Sequence, residues 1–339
     1  FASEIKFIKS LIGENFEKNN KKIFQNLFYG YKSLNKKNDT FFKNVNLLES
    51  SSNLFVDLDI KVKSKKYWSP KLKIKHDMKL NEASDELKKI LLESVKLRMR
   101  SDVPIAFCLS GGIDSGFLVS CAKKVFNQEI SSFSIIDKDQ RYNEQNNIEL
   151  ISNDLGIASN LIHLHNDKKI FFERLKMLTE YHDGPIATLS YYIHSFLSEN
   201  ISKSGYKVAI SGTGADELFT GYYDHFLLQL EAIKDTSFFK KNLDDWKKFI
   251  NPILRNEFLK DPYLYINDPL NRDSVYEKKF NIQKYSKIKY NFEFKENTYC
   301  NELLRNRMLN EMFNEVVPVI LKHDDLNSMY YSVENRSPY

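Results

Sequence analysis

Glycine is scarce in this sequence, and more than half of it lies in two short stretches. The 339 residues contain 11 glycines, about 3% against a usual value near 7%. Six of them fall within residues 110–116 and 211–222. Because glycine has no Cβ, its backbone can turn sharply or approach another group closely. We therefore expect the backbone of these two stretches to build a functional site.

The first stretch follows an apolar run and precedes a helical pattern. Residues 105–109, Ile-Ala-Phe-Cys-Leu, predict a buried strand, and Ser110-Gly111-Gly112 then turn into a helix. The free backbone N–H groups and the dipole at a helix start attract phosphate. Ser110 and Ser115 add hydroxyl donors. The stretch predicts a phosphate-binding turn, and it lacks the G-x-x-x-x-G-K-S/T pattern of Walker-type NTPases.

Asp114 lies in the same turn, where its charge would repel a phosphate. A carboxylate is tolerated beside phosphate oxygens when a hard divalent cation bridges the two, so Asp114 predicts magnesium. The alternative is that Asp114 caps the helix and the glycines form only a tight turn. The Ser-Gly-Gly motif by itself leaves both interpretations open.

The second stretch repeats the pattern of the first. Residues 208–210 are apolar, and Ser211-Gly212-Thr213-Gly214-Ala215 leads to Asp216 and Glu217. In an open α/β sheet, ligands bind at the carboxyl ends of strands where the topology switches. We expect the two turns to embrace one nucleotide, with Asp114 and Asp216 sharing the metal.

The remaining pattern predicts an α/β fold with a parallel sheet covered by helices on both faces. Apolar runs predict strands at 105–109, 132–136, 161–164 and 207–210, and helical periodicity predicts helices at 84–99, 114–126 and 144–155. From about residue 226 the sequence becomes helical and aromatic. Residues 1–75 are expected to be β-rich, because runs such as 54–60 alternate and are bounded by turn residues.

Composition narrows the classes of partner. The net charge of +5 is small for 95 charged residues, so nucleic acid is not expected as a partner. No apolar run is long enough to span a bilayer. The three cysteines form no C-x-x-C pair, which predicts a cytoplasmic protein without a zinc site. The sequence begins with Phe1 rather than Met, so we expect an internal piece of a longer chain.

These motifs resemble a known family. Residues 110–115 look like the pyrophosphate loop of ATP pyrophosphatases, and residues 211–222 look like the second signature of asparagine synthetases. Residues 325–329 and 334–339 are similar to the family's later segment, and residues 1–6 resemble the end of its glutaminase domain. The resemblance implies an adenine nucleotide alpha-hydrolase (PP-loop) fold. It also implies two domains: 1–75 as the C-terminal part of an N-terminal-nucleophile glutaminase, and 76–339 as a synthetase domain truncated at its C-terminus.

The same resemblance implies an activity and a set of site residues. The protein would use ATP and Mg²⁺ to adenylate a carboxylate, aspartate by default, release pyrophosphate and form an amide with ammonia from glutamine. The nucleotide would contact Leu109, Ser110, Gly111, Gly112, Asp114, Ser115, Ile135, Ser211 and Gly212. Asp114 and Asp216 would hold the metal. The oligomeric state, a homodimer included, stays open.

Two departures from the family pattern bear on the substrate. Asparagine synthetases usually have a glutamate where this chain has Thr213, and a threonine cannot take a proton from ammonia at neutral pH. A family carboxylate is also missing from Tyr142-Asn143-Glu144, where Glu144 would substitute. Thr213 therefore favours a sugar uronic acid or another carboxylate over aspartate.

Two other classes of protein are alternatives. A tRNA-modifying enzyme that adenylates a base would predict a stronger basic face and sulfur-handling cysteines. A non-catalytic nucleotide-binding relative would not need both turns and both aspartates. His163, His165, His182 and His194 are interpreted as ordinary polar or core residues and are not included in the predicted site.

Overall fold

A computed structural model describes residues 1–70, 78–139, 143–164, 168–273 and 295–339. The strands are β1 Ser52–Val56, β2 Val62–Lys66, β3 Ile105–Cys108, β4 Ser131–Ile136, β5 Ala158–His163, β6 Val208–Ile210 and β7 Glu334–Arg336. The helices are α1 Ile5–Ile12, α2 Asn20–Tyr29, α3 Leu80–Arg98, α4 Ile113–Ser120, α5 Gln145–Leu155, α6 Lys168–Tyr181, α7 Leu189–Lys203, α8 Ala215–Phe219, α9 Tyr223–Ala232, α10 Phe239–Asp245, α11 Leu264–Asn267, α12 Leu303–Asn310 and α13 Val317–Tyr330.

The centre of the fold is a parallel sheet with the strand order β5-β4-β3-β6-β7. Along the chain, β4 and then β5 are added on one side of β3, whereas β6 and then β7 lie on its other side. In the register, Phe107 of β3 pairs with both Ser132 of β4 and Ile210 of β6. The turns after β3 and β6 therefore emerge side by side at a switch in topology, as the sequence predicts.

Helices cover both faces of the sheet because successive strand residues point to opposite sides. Phe107 packs into a core with Val95 of α3, Leu118 of α4 and Ile148 of α5. A second core lies on the opposite face of the sheet, where Ile201 of α7 packs with the strand residues Ala106, Phe133 and Ala209. The predicted parallel sheet with helices on both faces is confirmed.

The second half of the chain forms a helical layer, as the aromatic pattern after residue 226 predicts. Its core contains Leu227 and Leu230 of α9, Trp246 after α10, and Tyr265 of α11. The chain then returns through α12 and α13 to β7. The sequence analysis did not predict β7, because three polar residues, Glu-Asn-Arg, carry no apolar strand signal.

The N-terminal segment differs from its prediction. The hairpin of β1 and β2 confirms the alternating run at 54–60 only for residues 54–56, since residues 57–60 form its turn. The helices α1 and α2 show that the β-rich prediction is wrong for residues 5–29. The apolar residues of α1 recur at helical spacing, at Ile5, Ile8 and Ile12, which is the local signal for this helix. The segment also contacts the loop between α6 and α7, since Lys9 Nζ lies 2.7 Å from Asp183 Oδ1. The domain boundary at residue 75 stays a prediction.

No helix among the described residues is long and apolar enough to cross a membrane.

Candidate functional site

The turn after β3 closes on itself through two serines. The backbone N–H of Ser110 donates to Ser115 Oγ at 3.1 Å, and the two hydroxyl oxygens lie 3.0 Å apart. Gly111 has a φ of +85°, a conformation that favours glycine. Gly112 then precedes the first residue of α4. The turn thus presents the N-terminus of α4 at the carboxyl edge of the sheet, which is the arrangement that binds anions.

The turn after β6 is held by residues 336–339. Ser211 N–H donates to the carbonyl of Arg336 in β7 at 3.0 Å, and the Ser337 hydroxyl donates to the carbonyl of Thr213. Tyr339 spans both turns, because its hydroxyl donates to the carbonyl of Asp114 at 2.9 Å and its Cβ packs beside Gly214. The sequence analysis assigned Tyr339 only to a motif and missed this contact.

The two turns touch each other at Gly212. A Cβ atom placed on Gly212 would lie 3.2 Å from Ser115 N and 3.3 Å from Asp114 Cβ, which is tighter than nearly all real Cβ contacts. Gly212 therefore permits the backbone of the second turn to pack directly on the first. The prediction that the two turns share one crevice is confirmed.

Asp114 and Asp216 supply the carboxylates of this crevice. Burial raises the pKa of Asp114, and burial followed by the charge of Asp114 raises the pKa of Asp216. Neither carboxylate forms an ion pair within the described residues. Two hard oxygen donors that repel each other and lack a protein cation fit a divalent ion such as Mg²⁺.

A loop glycine fixes the position of Asp216. Its carboxylate lies against Gly221, where a Cβ atom would be 1.6 Å from Asp216 Oδ1. Such a distance is impossible, so only glycine at position 221 permits this side-chain placement. Gly221 belongs to the second signature, but its spacing along the chain gives no sign of this contact.

Two adjoining cavities open at this edge of the sheet. The first, which we call the strand-end cavity, measures about 390 Å³ and contains nine of the predicted site residues: Leu109, Ser110, Asp114, Ser115, Ile135, Glu144, Ser211, Gly212 and Thr213. The second, which we call the side cavity, measures about 330 Å³ and contains Asp216, Glu217, Tyr31, Tyr191 and Tyr222. Predicted Gly111 and Gly112 form the adjacent turn rather than the cavity wall. The two cavities share His194, Gly212, Thr213 and Asp324.

Glu144 enters the strand-end cavity from the start of α5. Its carbonyl oxygen lies 3.2 Å from where a Cβ of Gly111 would be, so α5 begins directly against the first turn. Burial raises the pKa of Glu144. Glu144 and Asp114 thus line the same cavity, and the role of Glu144 as a substitute for the missing family residue stays a prediction. Tyr142, named in the same motif, lies outside the described residues.

The sequence analysis missed a histidine–aspartate pair in the shared wall. His194 Nδ1 of α7 lies 3.0 Å from Asp324 Oδ1 of α13, and the Thr213 hydroxyl donates to Asp324 Oδ2 at 3.3 Å. Burial lowers the pKa of His194, but the hydrogen bond and charge of Asp324 outweigh it and raise the pKa. The two residues are 130 positions apart, so no local pattern could reveal the pair.

The other histidines do not join this pair. His163 is exposed on β5, His182 contacts His323 at 3.0 Å between the Nδ1 atoms, and His165 lies outside the described residues. Interpreting them as ordinary polar or core residues agrees with the structure for His163 and His182.

A network of buried charged side chains is centred on α12, which contacts α8, the helix that follows the second turn. Arg307 of α12 is 0% exposed, and its guanidinium contacts Glu296, Glu311, Glu315 and Asp224 at 2.6–3.6 Å. Burial alone would raise the pKa of Glu311, but Arg307, then His225 and Lys32, lower it to about 2. The ligand atoms of Asp224, His225 and Glu311 lie within 4.8 Å of one another. Arg307 already supplies the positive charge that a metal would bring there.

The fold and these turns define a class: a parallel α/β protein with two glycine turns packed together at the switch point of its sheet. The chain belongs to the asparagine synthase family, whose model matches residues 86–339. This match begins within α3, extends through β7 and includes both turns. The resemblance found in the sequence is confirmed.

Three relatives illustrate the range of the family. A Methanocaldococcus jannaschii protein that carries the name of a glutamine-hydrolysing asparagine synthetase is 30% identical, over 66% of this chain and 43% of that protein. The amidase chyE of Penicillium rubens is 29% identical, over 58% of this chain and 32% of that protein. Asparagine synthetase 1 of Bacillus subtilis is 34% identical, over 40% of this chain and 21% of that protein. The matches thus span less than half the length of these relatives.

Proposed function

We propose that the protein is an ATP-dependent amide-forming ligase that adenylates a carboxylate, releases pyrophosphate and transfers ammonia to the activated acyl group. The observation that carries this proposal is the contact of the two turns at Gly212, which brings Asp114 and Asp216 to one anion-binding edge. Membership of the asparagine synthase family supports the same chemistry. A nucleotide-binding protein without catalysis would need only one such turn.

In this proposal, the first turn binds the phosphates. The N–H groups at the start of α4 would face the charge that develops on the departing pyrophosphate. The hydroxyls of Ser110 and Ser115, which lie 3.0 Å apart and close the turn, would contact the same phosphates. Ile135 and the backbone of Ser211 and Gly212 bound the part of the cavity that would take adenine and ribose. Asp114 and Asp216 would hold Mg²⁺, which supplies positive charge for the phosphate oxygens.

The reaction has two stages. A carboxylate oxygen of the acceptor attacks the α-phosphorus of ATP, and the bond to pyrophosphate breaks. Ammonia then attacks the acyl carbon, AMP leaves, and one proton is lost from nitrogen. The two cavities suit these stages, since the strand-end cavity contains the phosphate turn and the side cavity adjoins it through Thr213 and Gly212.

The acceptor is proposed as a carboxylate, with aspartate as the family default. A sugar uronic acid or another acid with one carboxylate is the second candidate, and the side cavity favours it. None of the described residues lining that cavity is lysine or arginine, whereas Asp216, Glu217 and Asp324 are acidic. The second carboxylate of aspartate would therefore lack a cationic partner there.

The decisive measurement is ATP–pyrophosphate exchange by the full-length protein with Mg²⁺ across a panel of carboxylates that includes aspartate and several uronic acids. Exchange that depends on one acid would establish adenylation and identify the acceptor. We expect Asp114→Asn to reduce this exchange at least about 100-fold, because the phosphate charge loses a metal ligand. Bound ATP without exchange by any acid would favour the non-catalytic alternative, and full exchange by Asp114→Asn would contradict the metal assignment.

Glutamine is the proposed nitrogen donor, with residues 1–75 as the end of a glutaminase domain. Comparison of amide formation with glutamine and with ammonium salts on the full-length protein tests this part. Activity with ammonium alone would separate the synthetase proposal from the glutaminase proposal. A cytoplasmic location and a homodimer stay proposals of the same kind.

A further inference from the structure

The wall between the two cavities contains a histidine that the mechanism above does not use. Ammonia must lose a proton after it attacks the acyl carbon, and Thr213, which occupies the position where the family usually has a glutamate, cannot accept it. The Thr213 hydroxyl instead donates to Asp324 Oδ2 at 3.3 Å. The other oxygen of Asp324 contacts His194 Nδ1 at 3.0 Å. Asp324 therefore connects the imidazole of His194 with Thr213, the position where the family usually has its base.

We propose that His194, oriented by Asp324, accepts the proton that nitrogen loses during amide formation. This inference rests on the proposed function and adds a catalytic residue to it. His194 lines both the strand-end cavity and the side cavity, so its ring borders the region where the activated acyl group and ammonia must meet.

The geometry gives each ring nitrogen a separate role. With the proton on Nδ1, the imidazole donates to Asp324, and Nε2 keeps a free electron pair. Within the part of the chain that the structure describes, Nε2 makes no hydrogen bond to protein. The His194 side chain is 43% exposed, in contrast to 8% for Asp324. A buried carboxylate thus orients a reachable base.

The proposed step balances in atoms and charge. The ammonia nitrogen forms a bond to the acyl carbon, the carbon–oxygen bond to AMP breaks, and one N–H proton moves to Nε2. The product is a neutral amide, AMP and an imidazolium whose Nδ1–H remains hydrogen-bonded to Asp324. The imidazolium returns its proton to water when the products leave.

The charges around His194 favour this role. Asp324 on α13, Asp216 and Glu217 on α8, and Asp114 and Glu144 at the strand-end cavity are all acidic. The described residues that line the two cavities include no lysine or arginine. Burial lowers the pKa of His194, but among these carboxylates Asp324, through its hydrogen bond and its charge, raises it. A base whose pKa lies near the working pH transfers protons most effectively.

The test separates the two stages of the reaction in the full-length protein. His194→Ala should keep ATP–pyrophosphate exchange with the acid that supports it in the panel, because adenylation needs no nitrogen base. Amide formation from ammonium salts should fall by about 100- to 10,000-fold. His163→Ala, which removes an exposed histidine on β5, is the matched control and should change neither rate.

Two readouts distinguish a base from a structural residue. Added imidazole should restore part of the amide formation by His194→Ala, since the deleted ring leaves space for it. Asp324→Asn should also lower amide formation, and should shift the acidic limb of the pH–rate profile to lower pH because the imidazolium loses its anionic partner.

Several outcomes would overturn the inference. Equal losses of exchange and amide formation in His194→Ala would assign the ring to folding or to adenylation, and an unchanged amide rate would remove it from the reaction. Absence of rescue together with an unshifted pH profile in Asp324→Asn would also contradict a base. If the wild-type protein shows no exchange with any acid, the proposed function is wrong, and the role of His194 as a base, which depends on it, is wrong as well.

Discussion

Single residues at the cavities owe their roles to contacts that are invisible in the linear sequence. Gly221 illustrates this, because Asp216 Oδ1 occupies the space that any Cβ at position 221 would fill. The motif around residues 211–222 could be predicted from spacing and composition. The reason for its last glycine could not, since that reason is the position of another side chain.

We expect Gly221→Ala to impair the site without unfolding the protein. The new methyl group must displace Asp216, so Mg²⁺-dependent exchange should fall at least about tenfold while the apparent affinity for Mg²⁺ weakens. A magnesium titration of the exchange rate measures both. Thr220→Gly is the control, because Thr220 is exposed and already has a φ of +69°, which glycine adopts easily. Equal magnesium dependence in both variants would contradict the assigned contact.

At the scale of elements, buried charges hold the helical layer beneath the second turn. Arg307 of α12 connects with Glu311 and Glu315, which follow in the same helical segment, and with Asp224 of α9. The N-terminal segment joins through Lys36, whose Nζ lies 2.8 Å from Glu315. A buried charge without its partner is costly, so this network makes several elements depend on one guanidinium.

Arg307→Met is expected to lower the free energy of unfolding by about 3–5 kcal/mol, because it leaves several buried carboxylates without their cation. Denaturant titration of the variant and the wild-type protein measures the change. Lys124→Met provides the comparison, since Lys124 forms an exposed ion pair with Asp154 at 2.7 Å. Exposed pairs contribute at most about 1 kcal/mol. A similar small loss in Arg307→Met would show that the network adds little stability.

For elements, the sequence predicted the four sheet strands with apolar runs and the helices α3, α4 and α5, but it did not predict α6 and α7 between β5 and β6. The sequence did not predict the short, polar strand β7, because this strand forms only by pairing with β6 and has no apolar pattern of its own. It also failed for α1 and α2, because the alternating run at 54–60 was extended to the whole of residues 1–75.

Across the whole molecule, two histidines join distant parts of the fold. His182 follows α6 and His323 lies on α13, and their Nδ1 atoms are 3.0 Å apart. A hydrogen bond between these two atoms requires at least one neutral ring. Burial lowers the pKa of His182 to about 4 and that of His323 to about 3, with nearby Lys322 adding to the effect on both.

These histidines should make the protein less stable in acid. Their folded pKa values are depressed, so the unfolded chain binds more protons below pH 6.5. Stability is therefore full above pH 6.5 and is lost as the pH falls toward about 4, with a limit of about 1.4 kcal/mol per pH unit for each histidine. Thermal unfolding from pH 8 to pH 5 measures the slope.

His323→Phe keeps an aromatic ring beside Tyr191, which stacks on His323 with ring centroids 4.8 Å apart. Its unfolding temperature should depend less on pH between 6.5 and 5 than that of the wild-type protein. Glu311, with a folded pKa of about 2, affects stability in a lower pH range. Its stabilising contribution is present above pH 4.5 and is lost as the pH falls from 4.5 toward 2. An unchanged slope in His323→Phe would exclude the histidine pair as the cause.

The sequence by itself determined the class of fold and the two turns with Asp114 and Asp216. It could do so because an apolar strand, a glycine turn and a helix start are encoded by neighbouring residues. Only the tertiary structure decided that Gly212 packs on the first turn, that Gly221 admits Asp216, and that Asp324 reaches His194. These contacts join residues from separate elements, and their distances depend on how the sheet, the helices and residues 336–339 pack together.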